Sequence, residues 1–145
     1  AVLLYDTEQS EQQLHKNTGR LLRRAGRERM PEYLHVYCLT GMSRSERLTA
    51  IVQSMDRYYY LHGGIHLVVI DGVADLIRCA NDEAESVALI DEIYRLAGIY
   101  RTCIAAVVHF VPNGLKLRDT SAASCNASPP PSSPSRRTRT RRCRW

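Results

Sequence analysis

The run His66-Leu67-Val68-Val69-Ile70-Asp71-Gly72-Val73-Ala74-Asp75-Leu76 constrains this chain more than any other. Leu67 to Ile70 are all apolar, and three of the four are β-branched. Such a run fits a parallel strand covered on both faces better than an alternating, half-exposed one. Asp71 then falls at the carboxyl end of the strand, where open α/β sheets place their ligand crevices, and Gly72 permits a sharp turn. An acid in that place suits two roles. It can hold a Mg²⁺ ion or its water beside phosphate oxygens, or it can cap the turn that follows.

The same reading extends along the chain. Val2-Leu3-Leu4-Tyr5 reads as a strand ending in Asp6-Thr7-Glu8. Ser10 and Gln13 have capping-box spacing and predict a helix to about Ala25, with Gly26 as its stop. Tyr33–Leu39 is the second strand. Ser43 and Glu46 open a second helix, which reaches Tyr60 with Leu48, Ile51, Val52, Met55 and Tyr59 at a 3.6-residue period. After the Leu67–Ile70 strand, Asn81 predicts an N-cap with Asp82, Glu83 and Glu85 in the first turn, where the helix dipole favours acids. That helix carries Val87, Ile90, Tyr94 and Ala97 and ends near Gly98. Cys103-Ile104-Ala105-Ala106-Val107-Val108-His109 is the fourth strand. The order β-α-β-α-β-α-β predicts an α/β fold: a parallel sheet of four strands, helices on both faces and right-handed crossovers.

Composition adds limits. No apolar run approaches the ~20 residues that cross a bilayer, so no membrane partner is expected. Five scattered cysteines without a C-x-x-C pair or a secretion signal suggest reduced thiols in a cytoplasm, with Cys38 and Cys103 as small core residues. The formal charge of +5 resides in the tail: residues 119–145 hold six Arg and one Asp, and residues 1–118 are neutral. The Ser/Pro/Arg-rich composition from Asp119 onward predicts a disordered segment after a folded domain at 1–118.

Three stretches together resemble one family. Val2-Leu3-Leu4-Tyr5-Asp6-Thr7-Glu8 resembles the RecA-family strand that ends Asp-x-Glu. Residues 67–76 resemble a RecA-like Walker B strand, and Val107-Val108-His109 resembles the strand whose last polar residue senses the γ-phosphate. The chain is most similar to RepA-type hexameric helicase ATPases of plasmids and mobile elements, through Asp-Thr-Glu-Gln-Ser at 6–10, Asp-Gly-x-Ala-Asp-Leu at 71–76 and Asn-Asp-Glu-x-Glu-Ser at 81–86. The resemblance implies a P-loop ATPase that uses ATP and Mg²⁺, acts on DNA and assembles as a homo-oligomeric ring. It implies Glu8 as the catalytic carboxylate that polarises the attacking water, Asp71 as the Mg²⁺ partner and His109 as the γ-phosphate contact. Asp6 reads as structural.

The sequence departs from that family at one decisive point. Gly19, Gly41 and Gly63-Gly64 are not followed by the Lys of a Gly-x-x-x-x-Gly-Lys-Ser/Thr loop. In the family that loop follows a strand ahead of the one at Val2, so the chain is expected to begin after it and to be inactive alone. The phosphate-loop strand would normally lie beside the γ-sensor strand. Its absence is expected to leave Ile104–Val108 as an uncovered apolar edge, and the strands that usually carry the arginine finger are also missing. The family continues after Lys-Leu-Arg with Gly-His-Leu-Gly-Ser-Glu-Leu-Gln-Arg-Lys. Codons GGA CAC CTC GGC AGC GAG CTG CAA CGC AAG encode that continuation. Without their first G they encode Asp119-Thr120-Ser121-Ala122-Ala123-Ser124-Cys125-Asn126-Ala127, so the tail reads as a one-base frameshift. Two other readings stay open: a nucleic-acid-binding module acting through the basic tail, and a flavodoxin- or receiver-like doubly wound domain. Against the latter, Asp6 and Asp71 lack a convincing switch Thr/Ser and Lys pair.

Overall fold

A computed structural model describes residues 1–79 and 82–109. The element order is β1 (Val2–Asp6), α1 (Glu11–Arg24), β2 (Leu34–Cys38), α2 (Arg44–His62), β3 (Leu67–Asp71), a 3₁₀ turn (Val73–Leu76), α3 (Glu83–Tyr100) and β4 (Cys103–Val107). The four strands form one parallel sheet in the order β2-β1-β3-β4. The tail at 119–145, with its proposed frameshift, lies outside the described residues.

The register assigns each side chain to a face. Leu3, His35, Val68 and Ile104 are level with one another, as are Tyr5, Tyr37, Ile70 and Ala106. This face packs against Ile51, Met55 and Tyr58 of α2 and Leu96 and Tyr100 of α3 to form the main core. Its polar atoms are paired. Tyr5 Oη lies 2.7 Å from Ser54 Oγ, Tyr37 Oη donates to Tyr58 Oη at 2.9 Å, and the His35 ring stacks on Tyr58. On the other face α1 buries Leu14, Thr18 and Leu22, and Val36 of β2 is buried as well. Helices therefore lie on both faces, as right-handed crossovers require when β1 to β2 runs one way and β2 to β3 the other.

The first two helices begin where their sequences indicate. Ser43 and Glu46 complete a capping box, and α2 runs two residues past Tyr60 to His62, where the left-handed Gly63 ends it as its sequence indicates. Ser10 accepts from Gln13 N, but Gln13 turns its own side chain to Asn17, so only half of that box forms.

Three expectations need correction. The N-cap of α3 is Asp82, whose carboxylate accepts from Glu85 N; Asn81 lies outside the described residues. The same helix runs through Gly98 to Tyr100, because the Tyr100 ring is buried in the core and its hydroxyl donates to Asp56 Oδ1. It also has two apolar faces. Leu89, Ile93, Leu96 and Tyr100 face the core, while Val87, Ile90 and Tyr94 are exposed, Tyr94 by 73%. The third correction is Cys103, which is exposed and not a core residue. It lies in β4, an edge strand of this sheet, on the face that α1 covers only toward β2. Ala105 on that face is exposed too, and Val69 is half-buried.

Candidate functional site

β1, β3 and β4 are adjacent and parallel, so their carboxyl ends share one rim of the sheet. Asp6 is level with Asp71, and Asp71 with Val107. That register brings three side chains together. His109 Nε2 donates to Asp71 Oδ1 at 2.8 Å and lies 3.4 Å from Glu8 Oε2. None is fully buried: the Glu8, Asp71 and His109 side chains are 35%, 28% and 45% exposed. One imidazole nitrogen thus faces both carboxylates at a rim open to solvent.

Asp6 stands apart from this cluster. It is buried, its Oδ1 accepts from the backbone N–H of Glu8 and Gln9, and its Oδ2 accepts from Gln9 Nε2. The side chain shapes the turn that aims Glu8 at the rim.

Three further residues, Thr7, Gly72 and Arg47, hold the rim together, and of these the sequence singles out only Gly72, as a turn residue. Thr7 Oγ1 has one proton and three acceptors within reach: the carbonyls of Asp71 at 3.0 Å and Gly72 at 2.9 Å, and Asp75 Oδ2 at 3.2 Å. This hydroxyl ties the end of β1 to the turn after β3. Gly72 makes the close approach possible. Its φ is +83°, and a Cβ there would lie 2.3 Å from Thr7 Oγ1 and 2.7 Å from Glu8 Cγ. Arg47 of α2 then fixes the turn from below, donating to the carbonyls of Leu39, Thr40 and Asp75 and lying 3.7 Å from the Asp75 carboxylate. A polar Thr at the end of an otherwise apolar strand was the available signal for Thr7.

The donor set bears on what could bind. Asp71 and Glu8 offer half-exposed carboxylate oxygens, the ligand type that Mg²⁺ takes, whereas an imidazole suits a phosphate oxygen better than Mg²⁺. Among the described residues no group of three or more His, Cys, Asp or Glu side chains is placed to hold a metal ion. A Mg²⁺ here would therefore rest on one or two carboxylates plus ligand oxygens and water, its ordinary mode at phosphate sites. No protein-family model matches the chain, and no curated protein sequence matches it.

Proposed function

We propose that this chain supplies the acidic side of a RecA-type ATP-hydrolysing site, in a DNA helicase or mobile-element replication ATPase of the RepA class. The observation that carries the reading is the convergence of Glu8, Asp71 and His109 at the carboxyl ends of three adjacent parallel strands. Glu8 is the general base: its carboxylate reaches out from the turn built by Asp6 and takes a proton from a water aimed at the γ-phosphate. Asp71 is the Mg²⁺ partner. Bound Mg²⁺ would neutralise charge on the phosphate oxygens as they separate. His109 gives up its hydrogen bond to Asp71 for one to the γ-phosphate, which couples nucleotide state to the residues after β4. DNA as the track and a homo-oligomeric ring as the working form belong to the same proposal.

The sheet edge is consistent with it. A P-loop unit is a strand, a glycine-rich loop and a helix. With its strand beside β4 and its exit leading to β1, a right-handed crossover lays that helix on the α1 face, over Val69, Cys103 and Ala105. Those positions are half-buried or exposed here.

A doubly wound flavodoxin- or receiver-like domain has the same order of its first four strands. Receiver chemistry would need the acid at the end of β1 to face the rim. Asp6 instead spends both oxygens on the Glu8–Gln9 turn. That favours the ATPase reading.

The test uses a chain in which a Gly-Lys-Ser/Thr loop precedes β1, identified by reading the DNA upstream of the Ala1 codon in frame. There, Glu8→Gln should keep nucleotide binding and lower turnover by at least ~10²-fold. Turnover within a few-fold of the parent chain would remove Glu8 from the mechanism. The 145 residues alone, which contain no such loop, should not turn over ATP.

A further inference from the structure

The outer face of α1 carries a concentration of charge that the nucleotide reading does not use. Residues 16–29 include Lys16, Arg20, Arg23, Arg24, Arg27 and Arg29 against a single acid, Glu28. At ~100° per residue, Lys16, Arg20, Arg23 and Arg24 fall within about 100° of arc, opposite the buried Leu14, Thr18 and Leu22. All six cations are exposed, and among the described residues none makes an ion pair. The helix dipole accounts for Arg23 and Arg24 in the last turn, but not for Lys16, Arg20, Arg27 or Arg29. Like charges at i,i+4, as in Lys16/Arg20 and Arg20/Arg24, weaken a helix unless something anionic covers them.

Two shallow grooves of about 920 and 850 Å³ adjoin through His15, Gly19 and Arg23, and the second brings Arg27 and Arg29 alongside. Gly19 contributes no side chain to the shared floor, where the nearest atom to a built Cβ is Arg23 Nη1 at 3.8 Å.

We infer that this face of α1, with the loop after it, is a sequence-independent binding surface for a nucleic-acid phosphate backbone. Five of the six cations are arginines, whose planar fork pairs with phosphate oxygens two at a time. A membrane is the poorer partner. An interfacial helix must bury its apolar side in lipid, and the Leu14/Leu22 side of α1 is already buried in the protein. The surface needs neither ATP nor the Glu8–Asp71–His109 cluster, so it stands or falls separately from them.

The test is fluorescence anisotropy of a labelled oligo-dT with the full 145-residue chain across a salt series, without nucleotide. Two variant sets are compared, singly and together: Lys16→Ala/Arg20→Ala/Arg23→Ala/Arg27→Ala, and the six tail arginines changed to Ala. If each α1 cation meets one phosphate, removing four should reduce the slope of log K against log salt by about 2.8, at ~0.7 per contact. Affinity at low salt should fall at least ~10-fold, in both tail backgrounds. Gln at the same four positions should give the same loss with an unchanged melting temperature, which separates charge from folding. Unaltered binding by the α1 set in either background overturns the inference. So does binding to phosphatidylserine vesicles without binding to the oligonucleotide.

Discussion

Replacing Gly72 by Ala is the sharpest probe of how the rim is built. The residue is left-handed at φ +83°. Moving a non-glycine residue into that region costs roughly 1–2 kcal/mol. The new methyl would also lie 2.3 Å from Thr7 Oγ1, so the hydroxyl must leave the Asp71 and Gly72 carbonyls that it now reaches at 3.0 and 2.9 Å. Losing a buried hydrogen bond adds about 1 kcal/mol. The sum is about 2–3 kcal/mol, or roughly a 10 °C fall in melting temperature for a chain of this size. Urea denaturation of the parent, Gly72→Ala, Thr7→Ala and the double variant measures it. Thr7→Ala alone should cost about 1 kcal/mol. The double variant should cost less than the sum of the singles by a similar amount, since the same hydrogen bond is lost once in each. A Gly72→Ala chain within ~0.5 kcal/mol of the parent, or strict additivity, would refute the proposed clamp.

Other consequences concern α3 and the core. Leu96→Ala should cost roughly 2–4 kcal/mol by opening a cavity against the sheet, whereas Tyr94→Ser on the exposed side should change stability by less than ~0.5 kcal/mol; denaturant midpoints compare them. Burial, and then the hydrogen bond to Asp56, push the Tyr100 phenol up to about 12 from its usual 10. A raised acid stabilises the fold below its unfolded value. The contribution of Tyr100 should therefore be intact below about pH 10 and lost between 10 and about 12. A pH series of melting temperatures should show that decline, and Tyr100→Phe should flatten part of it. Burial also raises the Tyr5 phenol, so some slope should remain in the variant.

Much of this arrangement is written locally in the chain. Continuous apolar runs such as Leu67–Ile70 announce parallel strands, and Asp71, just after that run, could be placed at the carboxyl rim from its position alone. Glu8 and His109 stand out only through the family resemblance, and Asp6, which directly follows the first run, is buried away from the rim. Sheet order is not local: nothing in periodicity says that β1 lies between β2 and β3. The same limit explains the misplaced Cys103. Its apolar neighbours mark a strand but not whether a helix covers it. In α3 the sequence holds two apolar stripes one residue out of step, and only packing against α2 selects Leu89, Ile93, Leu96 and Tyr100. Thr7 and Gly72 act as a pair across 65 residues, invisible until the strands are adjacent. The α1 stripe was hidden differently. Averaging over 1–118 gives neutrality, although six of the cations there fall within residues 16–29.

In the proposed site Glu8 and Asp71 flank one Mg²⁺ position at the sheet rim, with His109 between them. Proton NMR of the five imidazoles during titration with Mn²⁺ tests it most directly. The His109 ring should broaden at the lowest Mn²⁺ concentration, and Asp71→Asn should abolish this selectivity. Equal broadening of all five rings, or selective broadening of His109 that survives Asp71→Asn, would contradict it.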